Sequence, residues 1–149
     1  MKNNNIEIKK ITSKTSYIVR HPVLRPGKPI ESCRFEGDDL DSTTHYGLFD
    51  NENLCAVASI FTSKSALVPH SNQFQLRGMA VLEHQQGKGF GADLLQHIFK
   101  EYVQNEQIAI WFNARIIAVP FYEKQGCKVI SEGFEIEGIG THFVMLFQL

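Results

Sequence analysis

Three glycines, Gly87, Gly89 and Gly91, stand at alternate positions directly before a stretch with strong helical periodicity. Glycine at such a junction lets successive backbone N–H groups turn toward one point, and lets a ligand approach without meeting Cβ atoms. The helix start adds free N–H donors and the positive end of its dipole, worth ~0.3–1 kcal/mol to an exposed anion and up to ~2 kcal/mol to a partly buried one. A diphosphate is the natural guest, and a purely structural strand–helix turn is the plainer reading beside it. The Walker pattern GxxxxGK followed by Ser or Thr is absent, because Lys88 precedes Gly89. The dinucleotide pattern GxGxxG fails as well: the third glycine comes one residue early, and no acidic residue stands at a strand end ~20 residues on. Cys33, Cys55 and Cys127 are scattered without CxxC spacing. They suit neither a structural zinc site nor, lying outside the loop, a thiol nucleophile, and no metal is expected.

The elements that must carry this loop are legible from periodicity. Ile6–Ile11 alternates as a strand, and Thr12 or Ser13 caps a helix through about Leu24, broken by Arg25-Pro-Gly-Lys-Pro29. Residues 31–42, with Asp38, Asp39 and Asp41, read as a long exposed acidic loop. Thr44–Phe49 and Leu54–Phe61 form a hairpin around Asp50-Asn-Glu-Asn53. Phe74–Leu82 is a buried strand, leading into the glycine loop. Phe90, Leu94, Leu95, Ile98, Phe99, Tyr102 and Val103 then form one apolar helical stripe. Ile108–Phe112 is a further strand. Residues 114–125 form a two-part helix, because Pro120 is tolerated only near a helix start or kink, and Gly126 caps it. Cys127–Ile130 and His142–Gln148 close the chain as two strands across a Gly-rich turn. This order predicts an α/β (α+β) single domain over residues 1–149, a mixed sheet of about six to seven strands with helices on both faces.

Bulk properties narrow the partners. A 149-residue chain buries enough surface for a core without disulfides. A net charge of -1 argues against broad capture of nucleic acid or anionic membrane. No run approaches the ~18–20 apolar residues of a membrane span, and the polar opening Met1-Lys-Asn-Asn-Asn-Ile-Glu7 offers no signal-peptide core. Scattered cysteines fit a reducing, cytoplasmic setting. Apolar closing strands could support a homodimer edge.

With these elements placed, Gln86-Gly-Lys-Gly-Phe-Gly91 resembles the Gln/Arg-x-x-Gly-x-Gly/Ala loop that binds the acyl-CoA pyrophosphate in the GNAT acyltransferase superfamily. Leu76-Arg-Gly-Met-Ala-Val-Leu82 resembles the strand before that loop. Trp111-Phe-Asn-Ala-Arg115 and Ala118-Val-Pro-Phe-Tyr-Glu-Lys-Gln-Gly126 resemble the later strand and helix. The specific match covers about residues 74–130. The resemblance implies acetyl-CoA as co-substrate and a small amine as acceptor, joined by direct attack in a ternary complex. The alternative is a sensor or regulatory domain that binds acyl-CoA without turnover.

Residue roles follow from the same resemblance. The backbone of Met79, Ala80 and Val81 would pair with the pantetheine arm, one N–H polarising the thioester carbonyl, with their side chains in the core. Gln86, Gly87, Lys88, Gly89, Phe90 and Gly91 would hold the pyrophosphate. Asn113 would contact the cofactor arm, unless it merely closes its strand. Tyr122 would serve as the acid for the departing CoA thiolate, unless it is a core aromatic of an amphipathic helix. Asp38, Asp39, Glu83, His45 and His84 are available as general base, and none stands out. Gln75 and Arg77 occupy strand positions where some family members place a catalytic glutamate, so that base is missing.

Overall fold

A short alternating strand and a capped helix open the fold, as patterning predicts. The computed structural model describes residues 5–149; Met1–Asn4, which hold most of the polar opening, lie outside them. Strand β1 (Ile6–Ile11) pairs antiparallel with β2 (Thr44–Asp50), from Ile6↔Asp50 to Ile11↔His45. Helix α1 (Ser13–Leu24) starts where the Thr15 N–H donates to Thr12 Oγ1 at 3.1 Å, a side-chain N-cap. Strand β3 (Asn53–Phe61) returns against β2 through Asn51 and Glu52, both left-handed at φ 50° and 71°. Two left-handed central residues suit the twist of a two-residue hairpin loop.

Strand β4 (Asn72–Val81) runs into a 3-10 turn at Glu83–Gln85 and then helix α2 (Phe90–Tyr102). Strand β5 (Ile108–Arg115) follows, then a 3-10 turn at Ile116–Ala118 and helix α3 (Val119–Lys124), with Pro120 in its first turn. Gly126, left-handed at φ 94°, ends that helix. Strands β6 (Lys128–Val129), β7 (Phe134–Ile136) and β8 (Gly140–Phe147) complete the chain. Among the described residues the strand order is β1-β2-β3-β4-β5-β8-β6, with β7 pairing β8. The sheet is mixed: β4 and β5 are parallel, while β8 is antiparallel to β5, β6 and β7. The α/β class and the mixed sheet stand, with eight strands among the described residues.

The chain forms two compact units. The first takes residues 5–61 and Arg77–His97, and its core joins Val19, Val57 and Ala80 with Ile11, Val23, Leu24, Leu54 and Leu82. The second takes Thr62–Leu76 and Ile98–Leu149. Its core gathers Val68, Ala109, Trp111, Val144 and Leu146, with Ile130 and Phe134 against them. There the Trp111 indole N–H donates to the Ser63 carbonyl at 3.0 Å, and Phe99 stacks on Phe147 at 3.9 Å between centroids.

Three expectations need correction. The acidic stretch 31–42 is not simply an exposed loop: Ile30–Cys33 forms a 3-10 turn, and Cys33 and Asp38 are buried. Strand β5 extends to Arg115, so Asn113 lies inside a strand, opposite Val144, and not at its end. The Gly-rich turn before β8 holds the extra strand β7.

Candidate active site

Within the first unit, the glycine loop turns through two left-handed residues. Gly87 and Gly89 are left-handed, at φ 82° and 83°, and a Cβ built on either meets nothing within 4 Å. L-residues avoid that conformation, so glycine is needed for the backbone, and the space around both stays open. The first turn of α2 is closed by the Asp93 N–H on the Gly89 carbonyl at 3.0 Å. The N–H groups of Gly87, Lys88, Gly89, Phe90 and Gly91 find no acceptor among the described residues. Alternating left-handed residues with unpaired N–H groups at a helix start are the backbone pattern of an anion nest.

Side chains brace this loop. Gln86 Nε2–H donates to the Val81 carbonyl at 3.1 Å, tying the loop to the end of β4. Lys88 Nζ–H donates to Gln85 Oε1 at 2.8 Å and remains exposed. Phe90 is buried as the first residue of the α2 stripe, which fixes the helix start. Met79, Ala80 and Val81 are consecutive at the end of β4, and only Ala80 is fully buried. Within the second unit, the parallel register between β4 and β5 pairs Asn72–Gln75 with Ile108–Trp111.

Behind β4 lies a buried polar network that sequence reading missed. Arg20, fully buried on α1, donates to both Asp38 carboxylate oxygens at 2.7 and 3.1 Å. It also donates to the Cys33 carbonyl and to Ser59 Oγ, both at 2.9 Å. His45 Nε2 faces the Asp38 carbonyl at 2.8 Å, so that nitrogen carries the hydrogen, and Nδ1 accepts from Ser59 Oγ at 2.6 Å. Asp38 also accepts from the Phe35 N–H at 2.8 Å. Asp38 and His45 are thus engaged in the interior and not free to take a proton from an acceptor. Asp39 bonds Ser13 Oγ at 2.7 Å and lies 3.3 Å from Arg34, while Glu83 and His84 are exposed in the turn after β4.

The network meets β4 at Gly78, whose φ of 66° breaks the regular strand. A Cβ there would lie 3.0 Å from both Arg20 Nε and a Phe35 ring carbon. Arg20 Nε itself has no hydrogen-bond partner. An isolated glycine inside a strand pattern was the signal available for this irregularity.

In the second unit, Tyr122 on α3 packs against Phe112 of β5, with ring centroids 4.5 Å apart. Tyr122 remains half-buried by surface, yet crowding raises its pKa to about 12, burial first and Cys127 second. The phenol therefore stays protonated at neutral pH and offers a hydrogen-bond donor. Asn113, next to Phe112, is exposed. Burial also pushes the Cys127 thiol up to about 12 and raises Cys33 and Cys55. Burial thus disfavours the thiolate at all three cysteines. Among the described residues no group of three or more His, Cys, Asp or Glu is arranged to hold a metal. None of the helices there is long and apolar enough to cross a membrane.

Residues 35–147 match a family model described as "Acetyltransferase (GNAT) domain". The chain is 34% identical over 140 residues to the uncharacterised N-acetyltransferase YitI of Bacillus subtilis (strain 168), covering 94% of each. Its fold is similar to Naa50 of Arabidopsis thaliana, solved with a bisubstrate analogue, CoA-Ac-MVNAL. That match has a TM-score of 0.73 at 16% identity, covering 97% of this chain and 99% of that one. It is also similar to ElaA of Escherichia coli, with a TM-score of 0.71 at 18% identity, covering 96% and 99%.

Proposed function

Since the chain belongs to the GNAT acetyltransferase family, and is thereby an acyltransferase with acetyl-CoA as co-substrate, we propose that it moves the acetyl group to the primary amine of a small molecule. The reading rests above all on the nest of unpaired N–H groups around left-handed Gly87 and Gly89.

In this reading Gln86 to Gly91 hold the pyrophosphate, with Lys88 adding a mobile charge. The backbone of Met79, Ala80 and Val81 pairs with the pantetheine arm, and Asn113 contacts that arm. One β4 N–H donates to the thioester oxygen as the amine attacks, where loss of such a donor costs ~2.7–4 kcal/mol in other enzymes. Tyr122 donates a hydrogen bond to the departing sulfur. Its pKa of about 12 lies far above that of a thiol near ~8.5, so complete proton transfer from the phenol is uphill. The role is therefore donor to the developing thiolate, with the sulfur's proton coming from the ammonium formed in the attack. High thiol pKa values at all three cysteines support direct attack over an acyl-enzyme. Three free, buried cysteines also agree with a cytoplasmic setting.

The test is release of CoA thiol from acetyl-CoA across a panel of primary amines. Amine-dependent release with a matching acetamide product supports the reading. Binding of acetyl-CoA with no amine-dependent release would point to the sensor reading instead.

A further inference from the structure

Arg77 on β4 is half-buried, and its guanidinium carbon lies 4.6 Å from the Phe35 ring centroid and 5.3 Å from that of Phe61. Two aromatic faces within ~6 Å hold a guanidinium in place while leaving its planar N–H fork unspent. Among the described residues no hydrogen bond or ion pair reaches that fork. The neighbouring carboxylates do not supply one. Asp38 already accepts three hydrogen bonds, two from Arg20 and one from the Phe35 N–H, and it and exposed Glu36 act on Arg77 only through their charge. Arg20, in the same neighbourhood, shows the contrast: both of its terminal nitrogens are bonded. Burial lowers the Arg77 pKa, the mark of a cation only partly compensated. Leaving five donors partly desolvated is costly until an acceptor arrives.

The surroundings keep this arginine in position. Phe35, on which it rests, is pressed close to the β4 backbone at Gly78, where even a Cβ would lie 3.0 Å from the ring. Arg77 precedes Met79–Val81 by two to four residues on one strand, roughly 7–13 Å of backbone at ~3.3 Å per residue. Arg77 and the stretch assigned to the thioester thus share one strand, with left-handed Gly78 between them.

We propose that Arg77 anchors a carboxylate of the acceptor, making the substrate class a small amine that also carries a carboxylate, such as an amino acid. The proposal rests on the acetyltransferase reading and deepens it. A bidentate guanidinium–carboxylate pair orients as well as attracts, so Arg77 sets specificity without touching the reacting atoms.

The experiment compares kcat/KM for matched acceptors: an amino acid, its amide, its decarboxylated amine and its phosphonate analogue, across a panel of parent amino acids. The carboxylate member is expected to lead its neutral partners by about 10–100-fold, the range for a hydrogen-bonded charge pair. In R77Q that preference collapses through the acceptor KM, while the acetyl-CoA KM and its melting shift stay. R77K, which keeps the charge and loses the fork, falls between. Equal use of all members, a preference for a neutral or phosphonate member, or unchanged discrimination in R77Q and R77K would each overturn the proposal. So would acetylation of no amino carboxylate while acetyl-CoA still raises the melting point. Failure of acetyl-CoA itself to bind would instead remove the acetyltransferase reading.

Discussion

Tyr122 carries the most specific chemical claim at the scale of single residues. Replacing it by Phe keeps the ring packing on Phe112 and removes only the donor. The expected result is a fall in kcat of about 10²-fold or more, with little change in the acetyl-CoA KM. Steady-state kinetics of the variant check this, and full activity would contradict the donor role. Tyr122 and Cys127 also make a stability prediction. Both hold their protons to about pH 12 in the folded chain, whereas the unfolded groups release them near 10 and 9. The folded state therefore binds more protons between about pH 9 and 12, and stability must fall as pH rises through that window. Below it neither group contributes pH dependence. Melting curves across pH 8–11 should show the decline, and Cys127→Ala should flatten its lower part. Asp38 was only one acidic residue among several in the sequence, because spacing does not distinguish a solvated carboxylate from a buried one. The structure shows it paired with Arg20, both fully desolvated. Asp38→Asn should cost about 3–5 kcal/mol in denaturant unfolding, as breaking a buried pair does.

Glycine placement is where the elements declare themselves. The loop before α2 was readable because left-handed conformation and open space are demands that only glycine meets cheaply. Gly87→Ala or Gly89→Ala introduces no clash, so the cost is backbone strain of about 1–2 kcal/mol, and acetyl-CoA affinity should fall with it. Calorimetric titration with acetyl-CoA checks that outcome. Gly78→Ala differs, because its Cβ meets Arg20 and Phe35 on top of a left-handed φ. It should destabilise the fold by about 1–3 kcal/mol or more in urea unfolding. Long amphipathic elements such as α1 and α2 were legible to within a residue or two, since their periodicity is local. Strand β7 was not, because Phe134–Ile136 is only three residues between glycines and is a strand solely through pairing with β8. The end of β5 was missed for the same reason: Asn113 to Arg115 are held by Val144 to His142. The Arg77 clamp was illegible too, as Phe35 and Phe61 are remote in sequence.

For the whole molecule, family membership, strand order and the glycine loop all lead to acetyl-CoA as the ligand. Ligand at 100 times its Kd adds about 2.7 kcal/mol to stability. For a chain of this size each kcal/mol is worth about 2–4 °C in melting temperature. Thermal melting with and without saturating acetyl-CoA, beside ATP and NAD as controls, is the most direct measurement. A rise of several degrees is expected with acetyl-CoA, unmatched by ATP or NAD and diminished in Gly89→Ala. No shift at millimolar acetyl-CoA, or an equal shift with ATP, would mean that the loop at Gly87–Gly91 is a structural turn or a general phosphate site and not an acetyl-CoA site.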